Sequence, residues 1–265
     1  MGEGLSHGSE HALPRPLPQA GGECYGTSMT SLILYYHPFS SFCQKALMAL
    51  YEKQLSFRPH VIDLGNERER AELAAIWPYT KFPVLHDTAT GQTMPESSLI
   101  AEYVDGLNDE RPPLIPADPF AARNVRLWDR VIDSYLHLPM QKIVGDRLRP
   151  EGKGDPHGVE EARATIATTY RLLDRVILPD HWLAGIEFSL ADCSAAPPLF
   201  YAAKLAPFDE YPRLKAYFAQ VMDRFSFKRC IEDARSFRQF FPSAPTDGPW
   251  PDEVAQPTRD GRVAF

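Results

Sequence analysis

In the first part of the chain, the spacing of apolar residues alternates between that typical of β-strands and that typical of α-helices. Short continuous apolar runs such as residues 32–36 are typical of buried strands, whereas residues 41–52 carry apolar side chains at helical spacing. The pattern predicts strands at residues 31–36, 56–63, 84–86 and 92–94 and helices at residues 41–52, 67–76 and 96–107. We expect a small mixed sheet covered by helices, with the second strand at a sheet edge because it contains Pro59.

Beyond residue 119 the pattern is helical throughout. It predicts helices at residues 123–141, 159–178, 211–223 and 227–237, and a further helix that opens at Ser189. Ser189 and Asp192 have the spacing of a capping box, in which side chains satisfy free N–H groups at a helix start. The small apolar residues that follow predict a helix buried in the middle of this part of the chain.

A proline-rich, polar seam at residues 108–119 separates the two patterns, which is typical of a domain boundary. We expect an α/β domain at residues 30–111 and an all-helical domain at residues 116–242. Residues 1–28 are rich in Pro, Gly, Ser, His and Glu, which predicts a disordered extension, and they lack the pattern of a secretory signal. Residues 243–265 form a Pro-rich tail that we expect to lie on the surface or stay mobile.

Composition and charge argue against several classes of function. The 265 residues carry a formal net charge of −7, which argues against a nucleic-acid binder and against an anionic membrane surface as partner. No stretch approaches the roughly 18 consecutive apolar residues of a membrane-spanning helix. The cysteines at positions 24, 43, 193 and 230 form no close pair, and the histidines lack metal-ligand spacing. This usage predicts a cytoplasmic protein without a metal.

Four segments together carry a resemblance to a known family, the soluble glutathione S-transferases of bacterial type. Residues 32–43 resemble the family's first strand, active-site loop and first helix, and residues 77–85 resemble the loop that holds its cis-proline. Residues 95–100 resemble its glutamate–serine signature, and residues 189–192 resemble its capping box. The resemblance covers roughly residues 30–242. It implies an N-terminal thioredoxin-like domain of order βαβ-α-ββα, followed by an all-α C-terminal domain.

The resemblance implies that glutathione is the co-substrate and Ser40 the catalytic residue, in the manner of the serine-class enzymes. At a strand-to-helix junction, a hydroxyl donor and the positive helix end both favour a thiolate over a thiol. From the pattern alone, Ser40 is more simply explained as a helix N-cap. Tyr36 is the competing hydroxyl, although we expect it to pack as part of the strand. Cys43 stands where a C-x-x-C motif has its second cysteine, and we expect it to be buried.

The same resemblance implies a cis peptide bond at Pro83, with glutathione-binding residues on both sides. Phe82 and Val84 flank the proline, and Val84 would offer its backbone N–H and C=O to the tripeptide like an added strand. Lys81 would pair with the glycine carboxylate of glutathione, or would be an ordinary surface lysine.

Glu96 and Ser97 begin a predicted helix. The resemblance implies that Glu96 binds the γ-glutamyl ammonium and that Ser97 binds its carboxylate at the positive helix end. The alternative is a first-turn acid and a helix cap. Trp128, Tyr135 and Met140 lie on a helix that would face the first domain, but an aromatic stripe at helical spacing is usually core.

The implied function is conjugation of the glutathione thiolate to a small hydrophobic electrophile. Two alternatives stay open: a glutathione-dependent reductase or dehalogenase that uses the same thiolate, and a non-catalytic protein of the same fold that binds hydrophobic ligands. The family also implies a two-fold homodimer. The sequence contains no motif that specifies the electrophile.

Overall fold

The computed structural model describes residues 30–253, and its first part is a four-stranded sheet. The strands are β1 (Leu32–Tyr36), β2 (Arg58–Val61), β3 (Val84–Asp87) and β4 (Gln92–Pro95), and the helices are α1 (Ser41–Glu52), α2 (Glu67–Ile76) and α3 (Ser97–Asp105). The order is β2–β1–β3–β4, with β1 parallel to β2 and the other pairs antiparallel. The predicted mixed sheet is confirmed, and β2, with Pro59, lies at its edge.

The register of the sheet brings three segments of the chain together. Tyr35, near the carboxyl end of β1, is opposite Val84, the first residue of β3. Val84 is in turn opposite Pro95, the last residue of β4. The loop after β1, the loop before β3 and the start of α3 therefore meet at one end of the sheet, which we call the loop end.

The second part of the described chain is helical, as predicted. Its helices are α4 (Pro119–Ile132), α5 (Leu138–Arg147), α6 (Pro156–Val176), α7 (Leu190–Leu205), α8 (Pro212–Met222) and α9 (Phe225–Ala234), and a 3-10 turn follows at Arg235–Phe240. Within residues 30–253, no helix has both the length and the apolar content that a membrane crossing requires.

The helix predicted at residues 123–141 is interrupted by a π turn, Asp133–His137, between α4 and α5. Pro139, at the start of α5, has no N–H to donate to the carbonyl of Tyr135 four residues earlier. That carbonyl instead accepts a 2.8 Å hydrogen bond from Thr169 Oγ1 on α6. The apolar period continues across the turn, so the sequence pattern does not detect it.

Helix α7 is the centre of the molecule, because nearly every residue along it is buried. It packs against α1 of the first domain and against α4 of the second. Apolar side chains of both domains join in one continuous cluster. The seam is also held: the buried Lys53 ammonium lies 3.0 Å from Asp105 Oδ1 and donates to the carbonyls of Arg111 and Pro112. The two expected domains therefore share a core.

The last described residues pack against the helical domain. Trp250 is buried, with 8% exposed, in a cluster of aromatic rings. Arg147 donates hydrogen bonds of 2.7 Å to each carboxylate oxygen of Asp247. Of the predicted surface tail at residues 243–265, the part up to residue 253 is thus packed. The remainder, and the disordered extension predicted at residues 1–28, lie outside the described residues.

Candidate functional site

The loop between β1 and α1 is a tight turn that presents Ser40 at the start of α1. The Ser40 amide donates to the His37 carbonyl at 3.0 Å, and the His37 amide donates to Cys43 Sγ at 3.5 Å. Ser40 has extended backbone angles and is the N-cap of α1. Its side chain therefore lies at the positive end of that helix.

The Ser40 hydroxyl makes only weak contacts within the protein. Its Oγ accepts the Cys43 amide N–H at 3.4 Å, a long capping bond. The hydroxyl also lies beside the Cys43 sulfur, to which it can donate, and the Ser40 side chain is only partly buried. A sulfur atom beside it would meet both an O–H donor and the helix amino end, and both stabilise a thiolate.

Two buried side chains hold the carbonyl groups of this loop. Gln44 Nε2 donates to the Pro38 carbonyl at 3.0 Å, and the hydroxyl of Tyr201 on α7 donates to the Phe39 carbonyl at 3.0 Å. Gln44 Nε2 also donates to the Tyr201 hydroxyl at 3.1 Å. The second domain thus positions the loop. Sequence reasoning missed Tyr201, because a tyrosine on an apolar helix gives no sign of its distant partner.

A buried polar cluster joins α1 to the π turn. His137 Nε2 lies 2.6 Å from Ser41 Oγ. The Lys45 ammonium lies 2.5 Å from Asp129 Oδ1 and 2.9 Å from Asp133 Oδ2. Burial lowers the pKa of His137, although the Asp133 carboxylate acts in the opposite direction. The cluster ties the helix that carries Ser40 to the helical domain.

The peptide bond between Phe82 and Pro83 is cis, at the loop end of the sheet. Val84 is fully buried and is in register with a strand on each side. Phe82 lies just outside the sheet and is partly exposed, so its backbone is better placed than that of Val84 to meet a ligand. Lys81 is exposed, and its ammonium has no carboxylate partner within residues 30–253.

Glu96 and Ser97 lie at the same end of the sheet. Glu96 has a φ of 73°, a left-handed conformation that non-glycine residues rarely adopt and that often marks a functional site. It is exposed, and no side chain caps α3. Neither the Glu96 carboxylate nor the Ser97 hydroxyl has a hydrogen-bonding partner among the described residues. Ser97 is buried, with 5% exposed. The positive end of α3 and the exposed Glu96 carboxylate are therefore the groups most open to a ligand.

The two side chains that compete with Ser40 differ in their surroundings. Cys43 has 0% exposure, as expected, and burial raises its pKa to about 12 despite hydrogen bonds from Ser40 and His37. Tyr36 packs against the shared apolar core, and burial raises the pKa of its hydroxyl, with Asp233 of α9 acting in the same direction. A thiol with such a pKa is protonated at neutral pH, which argues against a nucleophilic Cys43.

His37 is a residue at this site that sequence reasoning missed. Its Nδ1 accepts the Phe39 amide at 3.2 Å. The ring centroid lies 6.1 Å from that of Phe82 and 4.6 Å from that of Phe237, in the turn after α9. The only signal in the sequence was the His37-Pro38 pair, which indicates the end of a strand.

Two side chains that the sequence places on the helical side of the site differ in exposure. Met140 is buried with 1% exposed, so it belongs to the core, whereas Tyr135 is 55% exposed. Among residues 30–253, no group of three His, Cys, Asp or Glu side chains is arranged to hold a metal ion. The loop end presents hydroxyl, imidazole, carboxylate and ammonium groups and two helix amino ends.

Comparison with known proteins agrees with this architecture. A family model for the glutathione S-transferase N-terminal domain matches residues 34–112, and one for the glutathione S-transferase C-terminal domain matches residues 156–220. The two matches together cover more than half of the chain.

Individual relatives are distant. A stringent starvation protein A homolog from Coxiella burnetii is 26% identical over 208 residues, which is 77% of this chain and 93% of that protein. Glutathione S-transferase U7 from Arabidopsis thaliana is 24% identical over 201 residues, covering 72% of this chain and 83% of its own.

Solved structures share the fold. A glutathione S-transferase from Methylobacillus flagellatus KT with GSH bound superposes with a TM-score of 0.69 at 27% identity, over 76% of this chain and 98% of its own. Glutathione transferase URE2P8 from Phanerochaete chrysosporium, at 21% identity, has a TM-score of 0.69 over 81% of this chain and 99% of its own. The matched domains, the shared fold and the cis-proline at the loop end together show that this chain belongs to the glutathione S-transferase family.

Proposed function

We propose that this protein is a glutathione transferase that conjugates the glutathione thiolate to a small hydrophobic electrophile. One observation carries the proposal: the partly exposed Ser40 hydroxyl caps α1 at the end of the sheet where Pro83 and Glu96 also lie. The GSH-bound relative from Methylobacillus flagellatus supports glutathione as the ligand.

Glutathione would be recognised by groups that are free in the structure. The Phe82 backbone, supported from within the sheet by Val84, would pair with the peptide backbone of the tripeptide. The Lys81 ammonium would pair with the glycine carboxylate. At the other end, the Glu96 carboxylate would bind the γ-glutamyl ammonium, while Ser97 and the uncapped amides of α3 would bind its carboxylate.

This arrangement would direct the glutathione sulfur toward Ser40. A free thiol has a pKa of about 8.5, and a helix amino end lowers such values to about 3.5–7.5. A fall of two units corresponds to about 2.7 kcal/mol in favour of the thiolate. Ser40 would donate its hydroxyl hydrogen to the sulfur, and the sulfur would be the nucleophile.

A pair of hydroxyl deletions tests this role. Ser40→Ala removes the proposed donor, and Tyr36→Phe removes the competing one; both turnover and the thiolate absorbance of bound glutathione are measured against pH. We expect Ser40→Ala to lower kcat about 10²-fold and to raise the pKa of the bound thiol, because one oriented donor is lost. Equal activity of Ser40→Ala and wild type would contradict the role, and loss in Tyr36→Phe would transfer it to Tyr36.

A second candidate is a non-catalytic protein that binds glutathione and hydrophobic ligands. It is favoured by the relative named stringent starvation protein A homolog, whose name is not that of a transferase. Calorimetry with glutathione, followed by turnover assays with alkyl and aryl halides, separates the two. Tight glutathione binding without conjugate formation would support the binding protein. Glutathione disulfide or halide release without a stable conjugate would support the reductase or dehalogenase alternative.

We also propose a two-fold homodimer through a face formed by α3 and α4. Leu99, Phe120 and Leu127 are 56%, 75% and 55% exposed. Glu102 and Arg126 join the two helices beside them through hydrogen bonds of 3.0 and 2.8 Å. Large apolar side chains exposed on adjacent helices are typical of an interface.

Sedimentation velocity tests the dimer. We expect Leu127→Glu to convert a dimer into a monomer, because a carboxylate would be buried without a partner. Phe225→Glu is the control, since Phe225 is 69% exposed on another helix, α9, and should leave the dimer intact. A wild-type monomer at micromolar concentration would contradict the proposal.

A further inference from the structure

His37 keeps one hydrogen-bond donor free beside the glutathione site. Because Nδ1 accepts the Phe39 amide, the proton of the neutral ring is on Nε2. Within residues 30–253, no group accepts a hydrogen bond from Nε2, and Nε2 is not one of the buried side-chain atoms that lack a partner, so it is not fully buried. Burial lowers the pKa of the ring below its ordinary value, although the Asp63 carboxylate acts in the opposite direction. His37 therefore presents a neutral N–H donor at neutral pH.

The ring lies where the first domain meets the helical domain. Phe82, which flanks one side at 6.1 Å, precedes the cis-proline where glutathione would lie. Phe237, which contacts the imidazole edge-on at 4.6 Å, belongs to the turn after α9 in the helical domain. The imidazole thus lies between the glutathione segment and the second domain. Its N–H is a polar donor in a wall of aromatic rings.

Resting on the proposed function, we propose that His37 is a specificity-determining residue that selects α,β-unsaturated aldehydes and ketones. Its Nε2–H would donate a hydrogen bond to the carbonyl oxygen of such an electrophile while glutathione adds to the carbon–carbon double bond.

The addition needs no other reactant than water. The glutathione thiol first releases its proton to solvent. A sulfur lone pair then forms a bond to the β-carbon, and the π electron pair of the double bond shifts to give an enolate with its charge on the carbonyl oxygen. Nε2–H donates to that oxygen without transferring its proton. A solvent water then protonates the α-carbon, so no group leaves and the product is the saturated conjugate.

A donor in this position discriminates between classes of electrophile. In enone addition the negative charge develops on an oxygen, which is the kind of acceptor that an oriented N–H stabilises. In displacement from an alkyl halide the charge develops on the departing halide ion, a weak acceptor that solvent stabilises better than one N–H. The contribution of His37 is therefore greater for an enone than for a halide.

Two substitutions at His37 separate the donor from the support that the ring gives to the loop. In His37→Asn the side-chain oxygen can still accept the Phe39 amide, but nothing reaches the place of Nε2. In His37→Gln the longer amide can place an N–H there. With crotonaldehyde and benzyl chloride as probes, we expect His37→Asn to lower kcat/KM for the enal at least about tenfold more than for the halide. His37→Gln should restore part of that ratio.

Several outcomes would overturn the inference. Equal losses for both electrophiles would make His37 a residue of the loop's structure alone. A raised pKa of the bound glutathione thiol in His37→Asn would mean that the donor serves the sulfur. Absence of conjugation in wild type, by contrast, would be a failure of the proposed function. If His37→Asn does not fold, NMR of the wild type provides a second test. We expect a scalar coupling across the hydrogen bond from the Phe39 amide to Nδ1. A proton on Nδ1 would contradict the proposal.

Discussion

The turn that carries Ser40 is held by one side chain near it in the chain and by one far from it. Gln44 and Tyr201 donate to two of its carbonyl groups, those of Pro38 and Phe39, and each of these bonds crosses from a helix into the loop. A hydroxyl that is to meet a sulfur atom must be held within a fraction of an ångström. At the residue scale, the position of the Ser40 hydroxyl therefore depends partly on Tyr201, which lies in the other domain.

Tyr201→Phe tests this dependence, since it keeps the ring and removes only the hydroxyl. We expect a loss of about 1 kcal/mol in the free energy of unfolding and a fall of about fivefold or more in kcat, because the loop loses a donor. Tyr170→Phe is the matched control: its hydroxyl donates to the Ala206 carbonyl at 3.0 Å, away from the loop. Urea unfolding and steady-state kinetics of both variants are compared. A similar fall in kcat for the two would contradict a positioning role.

The central helix α7 begins at a capping box of the predicted kind, formed by Ser189 and Asp192. Asp192 has 0% exposure, and one carboxylate oxygen accepts the Ser189 amide at 2.9 Å. The other oxygen accepts the Leu183 amide at 2.9 Å and the Tyr217 hydroxyl at 2.7 Å. At the scale of the element, the cap therefore also secures the preceding loop and α8, which the spacing of the motif does not reveal.

Asp192→Ala should lower the free energy of unfolding by about 2 kcal/mol or more, because four buried donors, the Ser189 hydroxyl among them, lose their acceptor. Glutathione affinity per folded molecule should stay unchanged, since the cap is remote from the loop end. Asp118→Ala provides the comparison: Asp118 is the exposed N-cap of α4 and accepts the Ala121 amide at 2.8 Å. Its loss should be smaller, because water replaces the acceptor. Equal urea midpoints for the two variants would contradict the buried cap.

At the scale of the whole molecule, contacts between distant segments make two sequence domains into one body. The Lys45 ammonium of α1 lies between Asp129 and Asp133 of the helical domain. The end of the described chain folds back over the helices, where Asp247 binds Arg147. Motion of the first domain relative to the helical domain would break the buried Lys45 ion pairs, so these pairs hold α1 against the helical domain.

The Asp247–Arg147 pair predicts a dependence of stability on pH. Burial alone would raise the pKa of Asp247, but the Arg147 hydrogen bonds and positive charge outweigh it and hold the pKa below its ordinary value. Since the unfolded carboxyl has a pKa of about 3.9, the pair stabilises the fold above that pH, and its contribution is lost as the pH falls further.

Asp247→Asn should therefore lower the urea midpoint at about pH 7, with a smaller difference from wild type at about pH 3. Asp209→Asn is the control, because Asp209 pairs with Lys215 on the surface with 76% of its side chain exposed. That variant should match the wild type at both values. A constant difference for Asp247→Asn across the whole pH range would contradict the sign of the shift.

Local signals in the sequence determined the elements and part of the site. Apolar periods located the strands and helices because each depends on neighbours within a few residues. The capping box and the N-cap at Ser40 are also local, since each bond joins residues three positions apart. The family resemblance added the cis bond at Pro83, which no local rule requires.

Only the tertiary structure decided how these parts work together. The Tyr201 bond to the loop, the Phe237 contact with His37 and the His137 bond to Ser41 join residues from different domains. The π turn likewise depends on Thr169 of another helix. Such contacts arise when helices and sheet bury a shared core, and many sequences with the same local pattern would pack differently. The chain alone therefore determined that a hydroxyl opens α1, and packing decided what holds and surrounds it.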